Sequence, residues 1–212
     1  LEFRRVLFRS GHVACAKKHL HNRYFALIDI KNFFESTGQS RLTRELKTYL
    51  TYNNARQVAK LSTVRNPLPE RPKYIIPYGY PQSPILSTFC LHKSFCGNLF
   101  KQLHVNPDID ISIYMDDIIL SANDLSSCES AYRLLSEGLE RSGYQMNTLK
   151  SQFPSEKIHV FNLELKHNSL RVLPFRLIEF LIAYTKSKNR HERKGIASYV
   201  GSVNTDQAKL FK

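Results

Sequence analysis

Short apolar runs broken by polar positions set out a mixture of strands and helices along this chain. Tyr24-Phe25-Ala26-Leu27-Ile28-Asp29-Ile30 is apolar except for one acid and stops at Lys31-Asn32, the pattern of a buried strand with Asp29 near its end. Ile109, Ile111 and Ile113 alternate onto one face, and Ile118-Ile119-Leu120 follows after Tyr114-Met115-Asp116-Asp117. This predicts a hairpin that turns through paired acids, where Gly or Asn-Gly is usual. Residues 35 to 60 read as helical, with Leu42, Leu46, Tyr49 and Leu50 at helix spacing.

Between Asn66 and Pro84 the prolines at 67, 69, 72, 77, 81 and 84 forbid regular helix and predict a shaped loop. Gly79 inside it permits a close approach of main chain to a ligand. Ile85 to Leu91 then reads as a helix with Ser83 and Pro84 in its first turn. A capping box, Ser126-Ser127-Cys128-Glu129, opens another helix with the stripe Ala131, Leu134, Leu135 and Leu139, and Gly143 closes it. Val160 to Leu165 and Leu170 to Leu173 predict a hairpin through His167-Asn168-Ser169. From Pro174 a helix runs on into the basic stretch 186–194.

Composition narrows the class. With 212 residues and 42% hydrophobic content the chain can bury a core. Its net charge of +13 favours a polyanionic partner, nucleic acid foremost, or else a solvated basic surface. Residues 1–10 read as a translated sequencing adapter rather than native protein, which implies a gene extending upstream of Gly11. Setting aside their three Arg and one Glu lowers the charge to +11. Cys15, Cys90, Cys96 and Cys128 form no C-x-x-C pair and share no zinc spacing with the eight His, so reduced, buried thiols are expected. No apolar stretch reaches the length that crosses a bilayer, and a cytoplasmic protein without a membrane partner is expected.

The acids carry the chemistry. Carboxylates at strand ends suit hard divalent cations, which take oxygen ligands and keep positions open for water and phosphate. Read singly, Asp29 and the Asp116-Asp117 pair are turn formers, and Phe33 and Phe34 core aromatics. Taken in order, Asp29-Ile30-Lys31-Asn32-Phe33-Phe34, Gly79-Tyr80-Pro81-Gln82-Ser83-Pro84 and Tyr114-Met115-Asp116-Asp117 resemble motifs A, B and C of reverse transcriptases. Tyr144 to Lys150 resembles motif D. The hairpin after Val160 stands where the primer-grip motif E is expected, with Asn162-Leu163 in place of its Leu-Gly.

The resemblance implies an α+β right-hand polymerase palm, an antiparallel sheet with helices on one face, with partial fingers and the start of a helical thumb. The palm would take residues 11–34 and 85–173, the fingers and motif B loop 35–84, and the thumb 174–212. It implies RNA-directed DNA synthesis on two Mg²⁺ ions, with Mn²⁺ able to substitute, one ion activating the primer 3′-hydroxyl and the other neutralising pyrophosphate. The metal ligands would be Asp29, Asp116, Asp117 and the Ile30 carbonyl, and Lys150 would protonate the leaving group. Phe34 falls at the steric gate against a ribose 2′-hydroxyl. Gly79, Gln82, Tyr114 and Met115 would line the nucleotide site. Lys186, Lys188, Arg190, Arg193 and Lys194 would hold duplex phosphates, a solvated helix end being the bland alternative.

The implied partners are an RNA template, a DNA or RNA primer, dNTPs and a cognate non-coding RNA. The Gln-Ser-Pro form of motif B and Ala14-Cys15-Ala16-Lys17-Lys18-His19 upstream lean toward a retron-like or phage-defence lineage, although Cys15 replaces an expected Asn. His19 itself reads as a structural histidine. Two rivals stand beside this: another palm-type nucleotidyltransferase making RNA or a cyclic dinucleotide, and a non-catalytic nucleic-acid-binding remnant.

Overall fold

The strand that carries Asp29 is buried over six consecutive residues, because both of its faces are covered. The computed structural model describes residues 11–68 and 72–211, so the adapter-like segment 1–10 and Pro69 lie outside the described residues. In chain order the elements are α1 His12–Lys17, β1 Tyr24–Lys31, α2 Gln39–Leu46, α3 Tyr52–Leu61, β2 Val64–Arg65, β3 Tyr74–Ile75, α4 Ser83–His92, α5 Phe95–His104, β4 Asp110–Tyr114, β5 Asp117–Ala122 and α6 Leu125–Arg141. There follow β6 Gln145–Met146, β7 Gln152–Ser155, β8 Lys157–Val160, β9 Leu163–Lys166, β10 Ser169–Val172, α7 Pro174–Lys186, α8 Arg190–Val203 and the short α9 Thr205–Ala208.

The main sheet has the order β4-β5-β1-β6, with β7 also paired to β1, and every pairing is antiparallel. Successive side chains on β1 point to opposite faces. Ala26, Ile28 and Ile30, with Ile118 and Leu120 of β5, pack into one core with residues of α4, α5 and α6. Phe25, Leu27 and Ile119 pack into a second core with the three-stranded sheet β10-β9-β8 and residues of α7 and α8. Each large apolar side chain buried this way contributes roughly 1.5–3 kcal/mol of transfer free energy. Asp29 has the parity of Phe25 and Leu27, so its carboxylate ends the row on the face away from α4–α6.

Several boundaries differ from the sequence reading, each for a local reason. The helix expected over 35–60 is two, broken at 47–51, because Thr51 caps α3 by accepting from the Asn54 amide. Tyr49 and Leu50 therefore lie in the break and are exposed. The long helix α6 starts before the expected capping box: Asp124 is the cap and accepts from the Ser127 amide at 2.8 Å. In its stripe Ala131, Leu135 and Leu139 are buried, but Leu134 is 41% exposed. The run Val160 to Leu165 is not one strand, since Phe161 and Asn162 form a two-residue turn between β8 and β9, both at positive φ (56° and 61°). The C-terminal helix breaks at Ser187–Asn189, and Asn189 caps α8. All four cysteines are free and buried, and no described helix is long and apolar enough to cross a membrane.

Candidate active site

Register brings the acids together. Asp29 is the direct cross-strand partner of Asp117 on β5, which places their Cβ atoms roughly 4.5–5.5 Å apart on one face. Asp116 occupies the turn between β4 and β5, and its carbonyl accepts from the Ile30 amide at 2.9 Å. Tyr114 pairs with Asp117, so the two central residues are Met115 and Asp116. The acids are thus not both at the tip, because Asp117 is already the first residue of β5. Met115 has φ +57° at the first central position, which a type II′ turn ordinarily gives to Gly. A bulky residue held there stores of order 1–3 kcal/mol of strain, of the kind that collects at functional sites.

The 147–151 turn clamps Asp29 from the other side. The Asp29 carbonyl accepts from the Asn147 amide at 2.8 Å, and the Asp29 amide donates to Ser151 Oγ at 3.0 Å. The same turn delivers Lys150, whose Nζ lies 3.7 Å from Asp29 Oδ2. Asp29 is only 6% exposed, so this cation is its nearest charge compensation. Burial pushes the Asp116 carboxyl up, and the Asp29 charge adds to it. Burial, with Asp116 and Asp29 behind it, raises Asp117 to about 7.

Three hard oxygen donors within electrostatic reach of one another, two of them raised by burial and like charge, have the donor chemistry of a divalent-cation site. Among the described residues no three His, Cys, Asp or Glu side chains stand close enough in this conformation to enclose a metal ion. The ion pair of Lys150 with Asp29 accounts for part of the compensation that a cation would supply. The sign of the coupling is testable. Asp117 binds its proton more tightly folded than unfolded, so its contribution to stability is present below about pH 4 and is lost as pH rises through about 7. A bound cation reverses that loss. The rise in melting temperature on adding Mg²⁺ is therefore expected to grow from pH 5.5 to 8 and to shrink in Asp117→Asn; a rise equal at all pH values would rule out this coupling.

The other expected site residues fall around the acids. Gly79, at φ +85°, turns the chain between Pro77 and α4, with open space where a Cβ would stand. Gln82 precedes α4 at its N-cap position without a side-chain capping bond, and Ser83 Oγ donates to the Pro77 carbonyl at 2.6 Å, fastening the loop to the helix. Phe34 is buried in the helix-side core rather than open to the site. Tyr114 shares the face of its cross-strand partner Asp117 and, with His12, Phe161, Arg176, Phe180 and Tyr199, lines a cavity of about 420 Å³ that reaches α8. Phe161 stacks edge-on to Tyr114 at 5.2 Å, and His12 bonds Tyr199 Oη at 3.0 Å. Nothing in the sequence reading singles out this aromatic box; Phe161 in a two-residue turn without Gly hides it.

Lys186, Lys188, Arg190, Arg193 and Lys194 gather at the corner between α7 and α8 on a largely exposed surface. Arg190 opens α8, where the helix dipole disfavours a cation by about 0.3–1 kcal/mol, and Arg193 and Lys194 follow at the end of the first turn and beyond it. Arg193 stacks on Tyr184, 4.5 Å from the ring centre. His19 is fully buried and bonds Ser121 Oγ at 2.7 Å, with burial lowering its pKa to about 4, which fits the structural role expected for it.

Comparison with known proteins accords with this geometry. A family model described as reverse transcriptase (RNA-dependent DNA polymerase) matches residues 2–177. The Gag-Pol polyprotein of koala retrovirus is 26% identical over 119 residues, which are 56% of this chain and 7% of that polyprotein. The chain thus spans a small part of the curated relatives it matches. Gibbon ape leukemia virus Gag-Pol is likewise 26% identical, over 48% of the chain and 6% of its own length. Among solved structures, the foamy viral protease-reverse transcriptase in complex with RNA/DNA hybrid superposes with a TM-score of 0.58 at 16% identity, over 91% of this chain and 24% of that one. Telomerase from Candida albicans superposes with a TM-score of 0.58 at 13% identity, over 99% of this chain and 45% of its own. The α+β fold, an antiparallel sheet flanked by helices, is similar to the polymerase palm and fingers of these neighbours, although helices of this chain pack on both faces and not on one as expected.

Proposed function

Because the chain belongs to the reverse transcriptase family, which it matches over residues 2–177, we propose that it extends a primer 3′-hydroxyl with dNTPs as an RNA-directed DNA polymerase. The observation that carries this is the register that sets Asp29 opposite Asp117, with Asp116 in the adjoining turn. Asp29, Asp116, Asp117 and the Ile30 carbonyl would hold Mg²⁺ or Mn²⁺, and two such ions supply Lewis-acid activation and charge neutralisation when bound. Lys150, 3.7 Å from Asp29, would give a proton to the departing pyrophosphate. The Gly79–Gln82 loop, leading from the fingers into α4, is suited to contact the templating pair. Tyr114 and Met115 would line the nucleotide site, and the basic corner between α7 and α8 would hold duplex phosphates.

An RNA template and a DNA or RNA primer are the partners of this reading, with a cognate non-coding RNA added if the lineage is retron-like, in a cytoplasmic setting. The retron-like or phage-defence lineage rests on the Gln-Ser-Pro form of the motif B loop and the Ala14 to His19 element, while the curated relatives are retroviral polyproteins. The net charge of +13 also suits one alternative, a nucleic-acid-binding domain without catalysis. A labelled primer annealed to RNA and to DNA templates, incubated with the chain, dNTPs and Mg²⁺, separates the two. Stepwise extension on RNA is expected. Binding of primer–template with no extension in Mg²⁺ or Mn²⁺ would select the binding domain.

A further inference from the structure

We propose that Arg41 is a positioning residue for Lys150, acting from α2 through the turn that leads into β6; this deepens the polymerase reading and rests on it. Arg41 stands in the first turn of α2, in the segment expected to belong to the fingers, and is half-buried. Its Nη2 donates to the Ser142 carbonyl at 2.5 Å, and its guanidinium lies over the Tyr144 ring, 4.5 Å from the centre. A planar guanidinium can stack on a ring and donate from its edge at once, which the compact ammonium of a lysine cannot.

The turn is shaped to receive that group. Gly143, between the two contacted residues, has φ +72°, and a Cβ there would stand 2.7 Å from Arg41 Nη2. A side chain at 143 would meet both a disfavoured backbone and the guanidinium. Tyr144 is 1% exposed and packs beside Phe33, so the ring that Arg41 covers is fixed in the core. Ser142 Oγ ties the turn to the other side, accepting from the Cys96 amide and donating to the Gly138 carbonyl. Removal of Arg41 therefore loosens the turn without detaching it.

From this turn the chain runs to Lys150 without slack. Gln145 and Met146 pair with Lys31 and Ile30 of β1, the Asn147 amide donates to the Asp29 carbonyl, and the Lys150 amide donates to the Asn147 carbonyl at 3.2 Å. The Lys150 side chain is 69% exposed, so its 3.7 Å ion pair with Asp29 holds it only weakly. Where its amine stands depends on the backbone that carries it, and Arg41 is the contact that joins that backbone to α2.

The test is a double-mutant cycle on primer extension over an RNA template. The kcat and the KM for dATP are measured for wild type, Arg41→Gln, Lys150→Ala and the double variant, with a melting temperature for each. Arg41→Gln should lower kcat by about 10-fold with KM within about 2-fold of wild type. In the Lys150→Ala background the same change should cost less than about 2-fold, because the two residues act through one group. Arg41→Lys keeps the charge and carries the same cycle should the Gln variant melt below the assay temperature; a loss of about 3-fold is expected of it. An Arg41 effect equal in both Lys150 backgrounds, or full kcat in Arg41→Gln, overturns this inference and leaves the polymerase reading standing. A wild type that extends no primer overturns that reading, and the inference with it.

Discussion

Asp116→Ala is expected to reduce primer extension by at least about 10³-fold, roughly 4 kcal/mol of transition-state stabilisation, without loss of the fold. The main-chain hydrogen bond at this position runs from the Ile30 amide to the Asp116 carbonyl and survives the substitution. What disappears is a carboxylate that burial and the charge of Asp29 already disfavour, so the melting temperature without Mg²⁺ should stay level or rise. Loss of activity with a preserved or higher melting temperature separates a functional acid from a structural one. Asp29→Asn should lose activity to a similar extent. The double variant should lose little more than either single one, because groups that act as a unit are not additive. Extension by Asp116→Ala within about 10-fold of wild type would remove Asp116 from the catalytic set.

The largest effect on stability is expected far from the acids. Gly97→Ala should destabilise the chain by about 4 kcal/mol or more, in the range reserved for direct steric conflict. A Cβ on Gly97 would land on the carbonyl and Cα of His92, which are backbone atoms at the α4–α5 corner and cannot swing aside. The corner is further tied by Ser94, which caps α5, and by the Cys96 amide donating to Ser142 Oγ at 2.8 Å. Gly195→Ala is the matched control: it lies within α8 with nothing within 4 Å of its added Cβ. That change should be neutral or stabilise by up to about 1 kcal/mol, as a helical Gly→Ala exchange does. Urea unfolding of both variants checks the pair, and equal midpoints would show that the corner relaxes.

Periodicity sets what can be read from the sequence. The strand bearing Asp29 and the hairpin bearing Asp116 and Asp117 follow from runs whose period of two, or unbroken apolarity, fits a buried strand and little else. The direct opposition of Asp29 and Asp117 is not legible there, because register depends on both strands at once. Lys150 is legible from its place in a motif, but its reach to Asp29 depends on the Asn147 and Ser151 bonds to the Asp29 backbone. Arg41 is silent, since one arginine among the polar positions of a helix has no period to mark its reach. The helix over Phe95–His104 is hidden because Gly97 in its first turn reads as a breaker, whereas here the missing side chain lets two helices meet. The break at 47–51 is signalled by Thr51, whose capping role shows only once the helix it starts is seen.

Strand β1 belongs to two cores, and this bears on how the chain comes apart. Phe25 and Leu27 share a cluster with Val200 and Val203, while Ile28 and Ile30 share one with Leu135 and Leu139. The palm–thumb boundary expected before residue 174 is crossed by these apolar contacts. Melting of the C-terminal helices would wet the row of side chains that ends at Asp29, and the acids would lose their scaffold in the same event. Local unfolding in this molecule is thus coupled across the would-be thumb and palm, and hydrogen exchange at the amides of β1 would report on both as one cooperative unit.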